Sequence, residues 1–154
     1  MRIQIENRQR KYRVLKRPLR KVAQRILDIC GKSEAELSIL ILDNEGIRQI
    51  NRDYLQRDRP TNVISFAMQE GHGTGVQPHL LGDVVISAER AASDAAAAKI
   101  PFEHELWFLL VHGILHLLGY DHERGTAAQA RNMEQQEREI FARLIEAAPL
   151  STMS

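Results

Sequence analysis

The sequence predicts an α+β fold, in which a single domain holds a small four-stranded sheet and about five helices. Short apolar segments rich in β-branched residues, bounded by turn residues, are typical of strands. Longer segments repeat apolar residues at helical spacing. The stretch from Leu106 to Leu118 is apolar on nearly every side, so we expect a central helix that is buried all round and packs on the sheet.

The composition fits a globular protein of one domain, with 154 residues, of which 44% are apolar and 27% are charged. We expect the domain to span residues 1–148 and the tail, 149–154, to fray. No apolar run reaches the length of a membrane span and the N-terminus lacks an apolar signal core, so we expect a cytoplasmic protein without a membrane partner. The single cysteine, Cys30, excludes an intrachain disulfide, and we expect it to be buried.

In the first half of the chain we expect a strand near residues 3–5, a helix between Pro18 and Gly31, and a buried strand over 36–42. The apolar positions of that helix are Leu19, Val22, Ala23, Ile26, Ile29 and Cys30. Asp43 is placed to cap the next helix, on which Ile47, Ile50, Tyr54 and Leu55 are predicted to form one apolar stripe.

In the second half, a turn over 57–62 precedes a strand over 63–66, and residues 69–80 read as a loop. That loop carries His72 and His79, neither of which we expect to bind a metal. A strand over 82–87 leads into a helix over 88–99 that Ser87 can cap, and Pro101 starts the central helix. Thr126 and Gln129 fit a capping box that opens a last helix, whose core positions are Met133, Ile140, Leu144 and Ala147.

Three histidines in the stretch HGILHLLGYDH carry the chemistry. His112 and His116 are four residues apart and therefore lie on one face of the central helix. Gly119 favours the left-handed conformation that ends a helix, and His122 follows on the returning chain. Three imidazoles that converge on one point are the ligands of an open catalytic zinc site, so we expect one Zn²⁺ per chain.

The spacing of these histidines is also similar to that of the metzincin proteases, which place a glutamate after the first histidine as general base. Here that position is Gly113. The stretch therefore predicts metal-assisted hydrolysis of something other than a peptide, and we expect the glycine to leave room for a bulky group near the metal. Asp121 either orients a ligand imidazole or caps the turn.

Residues 8–25 hold nine basic side chains and no acidic one, although the net charge of the whole chain is only +1. Such a segment is either a solvated helix face or a binding surface for a polyanion, most simply nucleic acid. The nine residues are Arg8, Arg10, Lys11, Arg13, Lys16, Arg17, Arg20, Lys21 and Arg25.

The histidine motif resembles the signature of the YbeY family, and so do two further segments, residues 58–66 (DRPTNVISF) and 81–87 (LGDVVIS). The resemblance implies an α+β domain with a central metal-bearing helix and a metal-dependent, single-strand-specific endoribonuclease. It implies action on ribosomal RNA, in maturation of the small-subunit 3′ end and in ribosome quality control. By the same resemblance His112, His116 and His122 are the zinc ligands, and the partners include the small ribosomal subunit and an assembly GTPase, with neither DNA nor a membrane.

One position departs from the family pattern, because Leu55 follows Tyr54 where the family usually has an arginine implicated in catalysis or RNA binding. Arg57 and Arg59 are therefore candidate catalytic residues beside His112, with Arg52 as a further source of the charge. The nucleophile is left open between water activated at the metal and the 2′-hydroxyl of RNA.

Two other functions stay open at this point. One is a zinc hydrolase of another substrate, including a peptidase, which Gly113 disfavours. The other is a ribosome-assembly factor that binds RNA and uses zinc mainly for stability, which Leu55 keeps open. Three protein ligands rather than four are more typical of a catalytic than of a structural zinc site.

Overall fold

The computed structural model describes residues 2–67, 79–119 and 126–147. Within these ranges the predicted fold class, α+β in one domain with four strands and five helices, is confirmed. In chain order the elements are β1 (Ile3–Asn7), α1 (Lys16–Ile29), β2 (Glu36–Leu42), α2 (Asn44–Leu55), β3 (Val63–Ala67), β4 (Leu80–Ser87), α3 (Ala88–Ala98), α4 (Phe102–Leu117) and α5 (Ala127–Ala147).

The four strands form one sheet in the order β1-β2-β4-β3. β1, β2 and β4 run parallel, and β3 pairs with β4 in the antiparallel direction. One row of paired residues crosses the whole sheet, from Ile5 through Ile39 and Val84 to Ser65. Residues of one row point to the same face, and this row faces α4, because Ser65 and Val84 both lie against its Gly113.

Apolar clusters cover both faces of the sheet. The larger cluster joins the strands to buried residues of α1, α3, α4 and α5, including Ile26, Leu110, Ile114 and Met133. The smaller cluster places α2 on the opposite face, through Ile47. Parallel strands are usually covered on both faces, and α4 is one of the helices that cover this sheet. One side of α4 stays partly open.

The predicted helix caps are present. Asp43 Oδ1 accepts the N–H of Gly46 at 2.7 Å, and Ser87 Oγ accepts the N–H of Arg90 at 3.1 Å. Thr126 and Gln129 form a reciprocal capping box: the Gln129 N–H donates to Thr126 Oγ1 at 3.1 Å and the Thr126 N–H donates to Gln129 Oε1 at 2.8 Å. Local sequence therefore fixes where α2, α3 and α5 begin.

The predicted apolar stripe of α2 is wrong at its end. Ile47 is buried, but Tyr54 and Leu55 are 72% and 44% exposed. The buried position one turn after Ile47 belongs to Asn51, whose Nδ2 donates to the carbonyl of Arg59 at 2.9 Å. An amide that is satisfied in this way can replace an apolar side chain in a buried position, which the spacing of the apolar residues did not predict.

Smaller departures occur elsewhere. In α1 the residue buried beside Ile26 is Leu27, whereas Ile29 and Cys30 are only half-buried. β4 begins at Leu80, two residues before the predicted strand. The loop prediction falls largely on residues 68–78, which lie outside the described residues. Across the described ranges, no helix has both the length and the apolar character that crossing a membrane requires.

Candidate metal centre

Helix α4 is the platform of the candidate centre, and it is buried along most of its length as predicted. It starts directly after Pro101 and ends at Leu117. Its buried apolar residues are Leu106, Trp107, Leu109, Leu110, Val111, Ile114 and Leu115. A helix held by packing on several sides presents its polar residues with little freedom.

His112 and His116 lie together on the partly open side of α4, and both are half-buried. Their ring centroids are 4.6 Å apart and the ring planes are tilted by 57°. This is the one-turn stacking that the spacing predicts. Two imidazoles this close can direct nitrogens at one point between them.

The carboxylate of Glu137 reaches His112 from α5. Glu137 Oε2 is in hydrogen-bond contact with Nδ1 of the imidazole. Glu137 is only 6% exposed, so it is one of the few charged residues that the described part of the fold buries. The sequence did not single it out, although a signal exists: Met133, Glu137, Ile140 and Leu144 follow one another at helical spacing, and one of the four is acidic.

Gly113 packs against the sheet, and the expectation that it leaves room beside the metal is wrong. A Cβ at this position would lie 2.6 Å from Cγ1 of Val84 and 3.2 Å from Oγ of Ser65. Ser65 Oγ also donates a hydrogen bond to the Gly113 carbonyl at 2.9 Å. The glycine is therefore required by the close approach of α4 to β3 and β4, and the space that a side chain would need is already filled.

The turn after α4 contains the left-handed glycine that the sequence predicts. Gly119 has a φ of +104°, and its N–H donates to the carbonyl of His116 at 3.0 Å. Residues 120–125 lie outside the described residues, and with them Asp121 and His122. Among the residues that are described, no group of three or more His, Cys, Asp or Glu side chains could hold a metal ion. His122 as third ligand therefore stays a prediction.

The arginines proposed to replace the family's guanidinium, Arg57 and Arg59, lie on the segment between α2 and β3. Arg57 and Arg59 are both exposed, and within the described residues neither guanidinium forms a hydrogen bond or an ion pair. Arg52 pairs with Asp53 at 3.0 Å. Among the described residues, no hydrogen bond, ion pair or ring contact joins any of the three to His112 or His116, so a catalytic role for Arg57 or Arg59 stays a prediction.

The basic segment forms an exposed surface along α1 and the chain that leads into it. Eight of its nine basic residues are exposed, and the ninth, Arg20, is half-buried with its Nε donating to the carbonyl of Ile3 at 3.1 Å. Arg17, Lys21 and Arg25 lie one helical turn apart, and none of them forms an ion pair with another described residue. We call these three residues the α1 basic stripe.

Two neighbouring titratable residues of α4 are perturbed by burial. Glu105 is 8% exposed, and burial, with a smaller effect of the nearby Asp94 charge, raises its pKa to about 7. Burial also lowers the pKa of His104, which packs against Trp107 and Phe141. Both groups therefore favour their neutral forms in the fold. They lie two helical turns before the histidine pair and do not contact it.

Comparison with known proteins shows to which family the chain belongs. A family model described as Endoribonuclease YbeY matches residues 4–145. The chain belongs to the YbeY family. A YbeY endoribonuclease of Syntrophotalea carbinolica is 63% identical over 144 residues, covering 94% of this chain and 96% of that protein. The corresponding protein of Geobacter sulfurreducens is 55% identical over 144 residues, with the same coverage of both chains.

The fold has a counterpart among solved structures. A solution structure of a protein from Thermotoga maritima matches with a TM-score of 0.60 and 21% identity, over 94% of this chain and 93% of that one. This likeness supports the fold alone. The predicted membership of the YbeY family, and with it the class of an RNA-cleaving hydrolase, is confirmed by the family model and the relatives.

Proposed function

We propose that this chain is a zinc-dependent endoribonuclease that cuts single-stranded ribosomal RNA and takes part in maturing the 3′ end of the small-subunit RNA. The observation that carries the proposal is the pair His112 and His116, whose ring centroids lie 4.6 Å apart on a buried helix in a chain of the YbeY family. The family supplies the class of reaction, and the pair supplies two donor nitrogens for a metal.

The donor set suits zinc. Neutral imidazole nitrogens bind Zn²⁺ well, and three of them leave a fourth position open to water or substrate. His112 and His116 would be two ligands, and His122, just beyond the positive-φ turn at Gly119, would be the third. Bound zinc would lower the pKa of a coordinated water to about 7 and polarise a phosphoryl oxygen.

The chain's own residues would hold and orient the RNA. The α1 basic stripe and the other exposed cations of residues 8–25 attract the phosphate backbone through long-range Coulomb forces, which draw RNA to the surface before specific contacts form. Arg57 and Arg59 project from the loop beside β3, which is the strand that packs against Gly113 of α4. Their guanidinium groups, which form no hydrogen bond or ion pair with another described residue, would stabilise the negative charge that develops on the phosphate as it is cleaved.

The packing of Gly113 disfavours the peptidase alternative. A metzincin-like base would need a glutamate side chain at this position, and even its Cβ would collide with Val84. A peptidase would therefore have to take its general base from another part of the chain.

The first experiment compares His112→Ala with a matched control, His79→Ala, which removes an exposed histidine from the turn before β4. We expect the control to retain zinc, measured by elemental analysis, and to cleave a single-stranded RNA oligonucleotide like the wild type. His112→Ala is expected to lose both properties. Full zinc retention and cleavage by His112→Ala, or cleavage of casein but not of RNA by the wild type, would overturn the proposal.

A second candidate function is favoured by one observation. Leu55, in place of the family's usual arginine, lies exposed beside the exposed Tyr54, which suits contact with a partner better than catalysis. An assembly factor of this kind would bind RNA without cutting it. Wild-type cleavage that is lost in His112→Ala, while the fold and the RNA affinity survive, would exclude it.

The cellular role extends the same proposal. The chain would act in the cytoplasm on the small ribosomal subunit, alongside an assembly GTPase and in ribosome quality control. Mapping the ends of ribosomal RNA in cells that lack the protein tests this role. Unprocessed 3′ ends of the small-subunit RNA, restored by the wild type but not by His116→Ala, are the expected result, and normal ends would contradict it.

A further inference from the structure

Glu137 occupies a position where the fold would otherwise place an apolar side chain. On α5 it follows Met133 by one turn and precedes Ile140 by one turn, and both neighbours are buried against α4. Burying a carboxylate is unfavourable unless a donor compensates for the lost water. Within the described residues the only partner of this carboxylate is the His112 imidazole.

We propose that Glu137 is a positioning residue, which holds the His112 ring in the tautomer and orientation that direct its Nε2 to the metal. This inference rests on the proposed function, because it assigns His112 as a zinc ligand. A carboxylate accepts hydrogen bonds, so its contact with Nδ1 places the imidazole proton on Nδ1. The nitrogen left to donate its lone pair to a metal is then Nε2.

The arrangement also fixes the direction of the ring. His112 comes from the partly open side of α4 and Glu137 from the buried side of α5, so the hydrogen bond ties the ring between two helices that pack together. A ligand held in this way loses less freedom when it binds an ion, and affinity rises accordingly. The other described glutamates of α5, Glu134, Glu139 and Glu146, are exposed, and none of them forms a hydrogen bond or ion pair with His112.

A purely structural role is the competing explanation, in which the contact only joins α5 to α4. The two roles differ in what they predict for the metal. A structural link would change the thermal stability of the zinc-free protein and leave zinc affinity unchanged in molecules that remain folded. A positioning residue changes zinc affinity and the tautomer of His112 under conditions in which the fold is intact.

The experiment measures zinc affinity by competition with a chromophoric chelator for the wild type, Glu137→Ala, Glu137→Gln and the control Glu134→Gln. We expect Glu137→Ala to bind zinc roughly 10- to 100-fold more weakly and the control to match the wild type. Glu137→Gln should lie between them, because an amide can offer either its carbonyl or its N–H to Nδ1 and no longer imposes one tautomer. Wild-type affinity in both Glu137 variants would overturn the inference.

A second readout needs no metal. Long-range ¹H–¹⁵N NMR spectra of the zinc-free protein report which ring nitrogen of His112 carries the proton. The wild type should show a protonated Nδ1, and Glu137→Gln a mixture of tautomers. An unchanged tautomer in Glu137→Gln would contradict the positioning role even if Glu137→Ala fails to fold. Absence of zinc binding by the wild type would instead refute the proposed function, so the two failures are distinguishable.

Discussion

Gly113 of α4 lies so close to Val84 of β4 that a Cβ on the glycine would stand 2.6 Å from the Val84 Cγ1 atom. The contact sets the distance between α4 and the sheet. It thereby also sets the position of His112, the residue before Gly113. The glycine at position 113 thus connects the packing of the core to the geometry of the candidate metal centre.

Gly113→Ala is expected to destabilise the protein although alanine is the better helix former. Alanine in place of glycine gains about 1 kcal/mol of helix propensity, whereas overpacking typically costs about 1–3 kcal/mol. We expect a net loss of up to about 2 kcal/mol in the free energy of unfolding, measured by urea denaturation. Adding Val84→Ala should make the substitution less damaging in a double-mutant cycle, and a Gly113→Ala variant more stable than the wild type would show that the contact is relaxed.

The α1 basic stripe should contribute to RNA binding through charge alone. Replacing Arg17, Lys21 and Arg25 with glutamine is expected to weaken binding of a single-stranded RNA and to reduce the slope of log K against log salt by up to about 2, since each phosphate contact contributes roughly 0.7. Fluorescence anisotropy over a series of KCl concentrations measures this slope. The charge-conserving Arg17→Lys/Arg25→Lys variant is the control, and an unchanged slope in the glutamine variant would exclude the stripe from the interface.

Glu105 should make the fold less stable at alkaline pH. Its pKa in the folded protein is raised to about 7 from an ordinary 4.5, so the unfolded chain releases this proton first as the pH rises. The resulting destabilisation grows from about pH 4.5 to pH 7 and is complete above that range. Glu105→Gln removes it, and with allowance for solvent near the carboxylate we expect a gain of about 1 kcal/mol at pH 8, or roughly 2–4 °C in Tm.

The comparison at pH 4.5 gives the decisive contrast for Glu105. There the folded protein keeps this proton and about half of the unfolded chains still hold it, so the destabilisation has barely begun and the Glu105→Gln variant should melt close to the wild type. Glu103→Gln, two residues earlier in the same first turn of α4, controls for the loss of a negative charge at the helix N-terminus. A pH-independent difference between Glu105→Gln and the wild type would show that burial of the charge is not its cause.

Local features of the fold were predictable because they depend on residues close in sequence. Asp43, Ser87 and the Thr126–Gln129 pair cap the helices they precede, and the four-residue spacing of His112 and His116 alone places them together on α4. Charge clustering likewise sufficed to predict an exposed basic segment, since lone cations are expensive to bury.

Features that depend on distant partners were not predictable in the same way. In α2 a buried position is taken by Asn51, which hydrogen-bonds to the Arg59 carbonyl, whereas Tyr54 and Leu55 are exposed, and the spacing of the apolar residues does not reveal this. The reason for Gly113 lies on β3 and β4, and the partner of His112 lies on α5. An acidic residue at an apolar position of a helix can nevertheless be recognised in the sequence. Glu137 is such a residue, and its partner in the structure is the His112 imidazole.

His104 should give the fold the opposite pH sensitivity to its neighbour Glu105. Its Nε2 is buried and has no hydrogen-bond partner in the described structure, and burial lowers its pKa below the ordinary 6.5. The unfolded chain therefore takes up a proton before the folded protein does, and stability falls as the pH drops below about 6.5. His104→Phe, which keeps an aromatic ring against Trp107 and Phe141, removes the titrating group.

Melting curves from pH 8 to pH 5 should show a smaller fall in Tm for His104→Phe than for the wild type. His79→Gln, at an exposed histidine, should follow the wild type. Parallel curves for His104→Phe and the wild type would mean that protonation of His104 does not oppose folding.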